Sequence, residues 1–398
     1  MNTLIKSLKE AVVRYQPEIL EHYRHFHTRP ELSGQEVETS RYIMKQLTSW
    51  GIEIQPLGMD SGVAGILQGK KDGPCVALRA DIDALPIWEE SGCPFPSQTP
   101  GRMHACGHDL HMACLLGAAH ILTDLREQIA GSVKFIFQPA EEIFTGAAAM
   151  VQHGVLEHPK VDAVFGLHCY PGLPVGTVAV KQGVMMAAVN SFTIRIQGRG
   201  GHGGLPHLAR DPVVCTAAVI TSLQTVVSRL TDAQDTMVVS VCSIRGGEEM
   251  RPNIIPGEVR MVGTVRALDP KLCQMAEESI RLIVESIAQA HGCKGELEYR
   301  YDLMPTINSD LLYPLALETV NRLGGKVADP RPSTGGEDFS VFADAVPSFL
   351  YWLGTGNEEA GCSFPWHSPK FRVDPAALPL GAQLYASSAL GYLHPSSR

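Results

Sequence analysis

Apolar residues recur along this chain in two rhythms, and the rhythm changes near residue 188. Before that point, short continuous apolar runs alternate with helical patterns. The runs are GVAGILQG (62–69), CVALRADI (75–82), SVKFIFQP (132–139) and, after a small helix, AVFGLH (163–168). Runs of this length predict buried strands, and their alternation with helices predicts a largely parallel sheet. Ser33-Gly34-Gln35-Glu36 has the form of a capping box opening a helix that runs to about Trp50 and is closed by Gly51. A second helix is predicted from His111 to about Arg126, with Asp109 as its N-cap.

From about 188 the pattern differs. SFTIRIQG (191–198) alternates strictly, as a half-exposed antiparallel strand does. A helix (about 211–230), two strand runs (236–246 and 256–269), a helix (271–291) and ELEYRYDL (296–303) follow. That β-α-β-β-α-β order is the ferredoxin-like pattern. After 304 the helix–strand alternation resumes. The expected architecture is therefore α/β. A large domain, 1–187 and 304–398, has a mostly parallel central sheet flanked by helices; 188–303 is an inserted ferredoxin-like α+β domain.

Composition narrows the function classes. The 398 residues are 44% apolar and 19% charged, an ordinary globular balance. A net charge of −9 argues against a general affinity for nucleic acid. No apolar run is expected to be long enough for a membrane span of roughly 18 residues or more. The N-terminal segment spreads Lys6 and Lys9 through an amphipathic pattern and has no secretory h-region. The ten cysteines are scattered without a CxxC spacing, which fits a reducing cytoplasm.

Candidate chemistry gathers where the strands end, the usual place for a site in an open α/β sheet. Residues 104–111 hold His104, Cys106, His108, Asp109 and His111. Asp81 and Asp83 close one run, Glu141 and Glu142 follow another, His168 ends a third, and His367 lies in a late loop. Each has a plain reading when taken alone. His168 is then a hydrogen-bonded core histidine, Glu141-Glu142 a solvated helix start, and Cys106 a buried inert thiol. His104 and His111 are assigned supporting or capping places. Taken together, a thiolate, imidazoles and a carboxylate suit Zn²⁺, Mn²⁺, Co²⁺ or Ni²⁺ better than Ca²⁺ or Mg²⁺. Five such ligands exceed one tetrahedral ion and suit a pair.

At these residues the chain resembles the dinuclear metallo-amidohydrolases that include aminoacylases, hippurate hydrolases and hydrolases of auxin–amino acid conjugates. The similarity runs through HTRPELSGQE (27–36), RADIDALP, MHACGHDLHMA, FQPAEE, GLHCYPGLPVGT (166–177), GRGGHGGLPH (198–207), PNIIPGEV (252–259), STGGEDFS (333–340) and WHSPKF. The resemblance implies that Cys106, His108, Glu142, His168 and His367 bind two divalent metal ions, with Glu141 as general base. Asp81 stands where a related branch has a metal-binding histidine, so it is not counted as a ligand. Asp83 is implied to orient a ligand imidazole. The inserted domain is implied to be a lid and dimerisation domain. His202 is then the contact to the reacting carbonyl, in its own or the partner subunit's site. Asn253 and Arg266 are implied to hold a substrate carboxylate, for which the Arg fork is well shaped.

The implied reaction is hydrolysis of an N-acyl amino acid by a cytoplasmic homodimer or homotetramer. The glycines around His202 suit a residue that arrives on closure, although Gly-rich turns also carry incidental histidines. A peptidase acting on dipeptides or C-terminal residues would use the same groups. A non-catalytic metal-binding sensor is disfavoured by Glu141, which such a protein would not need.

Overall fold

The computed structural model describes residues 2–394. In chain order the first part contributes strands β1 (Glu53–Gln55), β2 (Val63–Gln68), β3 (Lys71–Asp81), β4 (Ala130–Gln138), β5 (Ala163–Pro174) and β6 (Thr177–Ala179). Strands β7 (Ala188–Gln197), β8 (Met237–Gly246), β9 (Glu258–Ala267) and β10 (Lys294–Leu303) follow. Two more, β11 (Lys326–Ala328) and β12 (Ser348–Gly356), come last. The helices used below are α1 (Asn2–Thr28), α2 (Val37–Ser49), α3 (His108–Asp124), α4 (Pro212–Thr225), α5 (Pro270–Ala290) and α6 (Leu378–Leu393).

Two compact units result. The larger comprises residues up to Met185, Ile307–Arg331 and the chain from Asp338 onward; the smaller is Met186–Thr306 with Pro332–Glu337. The hexapeptide 332–337, which the sequence pattern leaves in the larger domain, joins the smaller unit through hydrogen bonds. The Ala187 amide donates to the Ser333 and Gly335 carbonyls, and the Thr306 hydroxyl donates to the Glu337 carbonyl.

The larger unit is built on an eight-stranded sheet in the order β1-β2-β4-β3-β5-β12-β6-β11. Its centre, β4-β3-β5-β12, is parallel; antiparallel strands flank it. Register matters for the site. Asp81 pairs with Gln138 and Arg79 with Gly166, so β3 and β4 end at one level, which β5 crosses near His168 before running on to Pro174. The residues that follow these strands are thereby delivered to one edge.

Helices α1, α3 and α6 pack together against this sheet. Helix α3 is buried on all sides, with Leu110, Met112, Leu115, Leu116, Ile121 and Leu122 inaccessible to solvent. Each such side chain contributes about 1.5–3 kcal/mol of burial. A side chain at Gly381 in α6 would meet the Cys114 sulfur at 2.4 Å, so glycine sets the closeness of α3 and α6. This packing holds the N-terminus of α3, where His108 sits, against the strand ends.

The smaller unit is a four-stranded antiparallel sheet, β8-β9-β7-β10, with α4 and α5 on one face, the ferredoxin-like arrangement. Phe192, Ile194 and Ile196 from β7 meet Cys215, Val219 and Leu223 from α4 and Ala276, Ile280, Val284 and Ala288 from α5. The four-residue spacing on α5 is the core stripe of an amphipathic helix. One correction to the sequence reading arises here. Among the described residues, the helical segment Pro212–Leu230 is long and apolar enough, by length and composition, to cross a membrane. Thr216, Thr221, Ser222, Gln224 and Thr225 interrupt it, so a search for unbroken apolar runs passes over it. It lies on the sheet of the smaller unit, with Cys215, Val219, Leu223 and Val226 inward.

Replacing Leu116 with Ala is expected to cost about 2–5 kcal/mol, because the fully enclosed site cannot collapse around the void. Chemical denaturation followed by circular dichroism measures the loss.

Candidate metal centre

The first turn of α3 starts from Gly107, whose φ is +85°. A Cβ at that position would meet the Cys169 sulfur at 2.4 Å, so both the backbone angle and the space require glycine. The turn carries Cys106 and His108 into the edge formed by β3, β4 and β5, where both are buried.

Cys106, His108 and His168 present ligand atoms that lie within 4.8 Å of one another, and so do Cys106, Glu142 and His367. The thiol is common to both groups. Cys106 Sγ stands 3.5 Å from His168 Nε2, His108 Nε2 is 3.9 Å from Glu142 Oε1, and His367 Nε2 is 3.4 Å from Glu142 Oε2. His367 is the exposed member; its amide donates to the Ala105 carbonyl, which ties the late loop to the α3 turn. The structure thus brings together all five residues for which the resemblance implies a metal role.

Supporting hydrogen bonds aim these rings. His108 Nδ1 faces Asp83 Oδ1 at 3.2 Å, and His168 Nδ1 faces the Cys169 carbonyl at 2.8 Å, which turns each Nε2 inward. Asp83 Oδ2 accepts from the Ser33 hydroxyl and the Glu142 amide. His111 occupies a place that spacing alone did not settle. Its Nε2 accepts the Cys169 amide at 2.8 Å, so its proton is on Nδ1 and is donated to Asp81 at 2.5 Å. Asp81 also binds buried Arg79, whose other nitrogens reach Gln138 and Asp338. Asp81 is thereby engaged by protein groups.

The capping box expected at Ser33–Glu36 does not form. The Ser33 hydroxyl goes to Asp83, and Glu36 Oε1 accepts the Ala140 amide at 2.8 Å. Glu31 serves α2 instead, accepting the amides of Glu38 and Thr39. Asp109 is likewise not the N-cap of α3, because the helix begins one residue earlier. It accepts from the Leu110 amide and binds His27 at 2.6 Å. The Glu36 contact fixes the turn that carries Glu141 and Glu142, where Ala140 has a φ of +52° and Phe144 of +58°. Non-glycine residues hold such angles only when their surroundings enforce them. Glu141 is buried beside Glu142, close enough for both carboxylates to act on Cys106.

Electrostatics favour a cation here. Burial raises the Cys106 thiol well above its ordinary range, and Glu142 and Glu141 push it further. Burial alone would lower His108, but Asp81, Asp83 and Glu142 outweigh it and lift the imidazole to about 10. Burial holds His168 and His111 down at about 4. His108 Nε2 and Glu142 Oε1 are buried without a hydrogen-bond partner. Unpartnered lone-pair atoms of this kind, in a pocket rich in carboxylate, fit divalent metal ions.

In the smaller unit, His202 pairs with Ile254 across a two-stranded ribbon, and the Gly203 amide donates to the Asn253 carbonyl at 2.8 Å. His202 and Asn253 are therefore neighbours, and the His202 ring is exposed, its Nδ1 accepting the Gly204 amide. Arg266 lies on β9 between Val238 and Val189; burial lowers its pKa against the opposing pull of Asp302.

A family model described as peptidase family M20/M25/M40 matches residues 77–390. The chain belongs to that family. This M20-family chain is 41% identical over 369 residues to the N-acetylcysteine deacetylase of Bacillus subtilis (strain 168), covering 92% of this chain and 94% of that one. It is 38% identical over 380 residues to the IAA-amino acid hydrolase ILR1-like 5 of Arabidopsis thaliana, covering 94% and 86%. Among solved structures it is similar to a Bacillus subtilis protein described as a dinuclear metal-binding peptidase from the M20 family. There the TM-score is 0.85 at 36% identity, covering 96% of this chain and 99% of that one.

Two outcomes follow for this M20 centre. Asp83→Asn, which disturbs the contact aiming His108, is expected to lower metal affinity about 10–100-fold, read by competition with a chelator. Cys106 and His108 both carry protons at pH 7 in the metal-free chain, because both are raised. Ligands must be deprotonated to bind, so loading is expected to release on the order of two protons per chain and to weaken as pH falls. A pH-indicator titration measures this release.

Proposed function

We infer that the protein is a metal-dependent amidohydrolase that cleaves N-acyl-L-amino acids to a carboxylic acid and a free amino acid. The observation that carries this is the pair Glu141–Glu142. Glu142 faces His108 and His367, while buried Glu141 stands beside it near Cys106, so metal binding and proton transfer fall to adjacent residues. The names of two relatives, a deacetylase of N-acetylcysteine and a hydrolase of an indole-acetyl conjugate, support an acylated amino acid as the substrate class.

In this reading Cys106, His108, Glu142, His168 and His367 hold two divalent ions drawn from Zn²⁺, Mn²⁺, Co²⁺ or Ni²⁺. When bound, the ions supply the Lewis acidity that lowers the pKa of the attacking water and polarises the scissile carbonyl. Glu141 accepts the water proton as the new C–O bond forms, then delivers it to the leaving nitrogen as the C–N bond breaks. His202 donates to the carbonyl oxygen as negative charge develops there. Asn253 and Arg266 receive the substrate's free carboxylate. The smaller unit is the lid and the dimerisation surface. Ten free cysteines support a reducing, cytoplasmic setting.

The word peptidase in the family name and in the solved relative's description keeps dipeptides as the second substrate class. A panel of N-acetyl, N-benzoyl and indole-acetyl amino acids against dipeptides, run with each metal in turn, separates the two. Faster turnover of dipeptides would replace the first reading with the second. Glu141→Gln is expected to retain its metal and to lose turnover by roughly 10²–10⁴-fold. Near-normal turnover in that variant would remove Glu141 from the role of base.

A further inference from the structure

A second group of metal-competent side chains lies outside the centre just described. His27, at the end of α1, meets Glu89 and Cys93 from the segment that precedes the α3 turn, and their ligand atoms lie within 4.8 Å of one another. All three side chains are largely enclosed: His27 is 3% exposed, the Glu89 side chain 6% and Cys93 8%.

The chemistry of the three is complementary. His27 Nδ1 is taken by Asp109 Oδ2 at 2.6 Å, which directs Nε2 at Glu89 Oε1, 3.1 Å away. An imidazole that engages a carboxylate through one nitrogen and offers the other is the common arrangement of a zinc-binding histidine. Nitrogen and oxygen ligands at 2.0–2.2 Å from a tetrahedral ion lie about 3.3–3.5 Å apart, close to the separation found. Glu89 is fixed by the Ser91 hydroxyl and by the Ser97 amide at 2.6 Å, and the Cys93 amide by the Ser91 hydroxyl at 3.1 Å. The three ligand groups are thus held in place by neighbouring contacts, with the Cys93 thiol hydrogen-bonded to His27 itself.

Location supplies the reason for such a site. Between Pro86 and Arg102 the chain forms neither helix nor strand. A stretch of that length without its own secondary structure has little to order it. This one is tied to α1 by the Gln98 amide, which donates to the Thr28 carbonyl, and leads directly into the turn bearing Cys106 and His108.

We propose that His27, Glu89 and Cys93 form a third, structural metal site that binds a zinc-type ion. The mixed imidazole, carboxylate and thiolate set selects such an ion over Ca²⁺ or Mg²⁺. The ion staples the irregular 86–102 segment to α1 and, through Asp109, to α3. The site takes no part in hydrolysis and does not depend on the functional reading above.

The test is elemental analysis of the full chain, loaded with Zn²⁺ and dialysed, beside Cys93→Ser and Glu89→Gln, each checked for native circular dichroism. The expected result is one fewer zinc per chain in each variant, with the same difference when compared in a Glu142→Gln background. Equal zinc in all three proteins overturns the site. Should both variants fail to fold, the Co²⁺-loaded Cys106→Ser protein decides. A remaining thiolate-to-cobalt charge-transfer band supports Cys93 as a ligand, and loss of all such absorption overturns it.

Discussion

Negative charge confined at the end of a parallel sheet is the condition on which this structure turns. Asp81, Asp83, Asp338 and Glu141 are all buried, with Glu142 nearly so, and among the described residues Arg79 is the buried guanidinium beside them, fully withdrawn from solvent. Arg79 answers Asp81 and Asp338. Desolvated carboxylates are tolerated only with cations or dense hydrogen bonding nearby, because their burial costs several kcal/mol each. A proton on His108 offsets part of the remainder, and divalent ions offset it better. The fold thus creates a demand for positive charge at the very place where the thiol and the imidazoles point.

Much of this was legible in the sequence, for a definite reason. Strands β3, β4 and β5 announce themselves as apolar runs, and polar residues just beyond such runs stand out. Asp83, Glu141 and Glu142 stand just beyond such runs, and His168 is the polar last residue of AVFGLH. What was not legible involves residue types with two competing uses. Ser33 and Glu36 have the spacing of a helix cap, yet both make hydrogen bonds to residues far away in the chain. Local pattern cannot distinguish a carboxylate that caps its own helix from one that braces a distant turn. Arg79 was hidden inside the run CVALRADI, where periodicity reads only the apolar neighbours. The joining of 332–337 to the smaller unit rests on hydrogen bonds to its backbone carbonyls, from the Ala187 amide and the Thr306 hydroxyl, which hydrophobic periodicity does not encode.

Backbone strain marks the same region. Ala140, Phe144 and His367 hold positive φ angles, which cost of order 1–3 kcal/mol each for side-chain-bearing residues. Ala140 and Phe144 each lie two residues from Glu142, and His367 is itself an imidazole of the centre. The surrounding contacts, Glu36 to the Ala140 amide and the Ala105 carbonyl to the His367 amide, are what sustain the distortion. Positioning of the reactive groups has been given precedence over local comfort of the chain.

The backbone on either side of Cys169 shows how few independent parts this arrangement has. Its amide is accepted by His111, and its carbonyl serves both His168 Nδ1 and the Trp366 indole, next to His367. The two consecutive peptide groups that meet at the Cys169 Cα therefore act together as an anchor for three rings arriving from separate stretches of chain. A displacement of the backbone at Cys169 would disturb His111 through the amide and His168 and Trp366 through the carbonyl, so His168 cannot be retuned there in isolation.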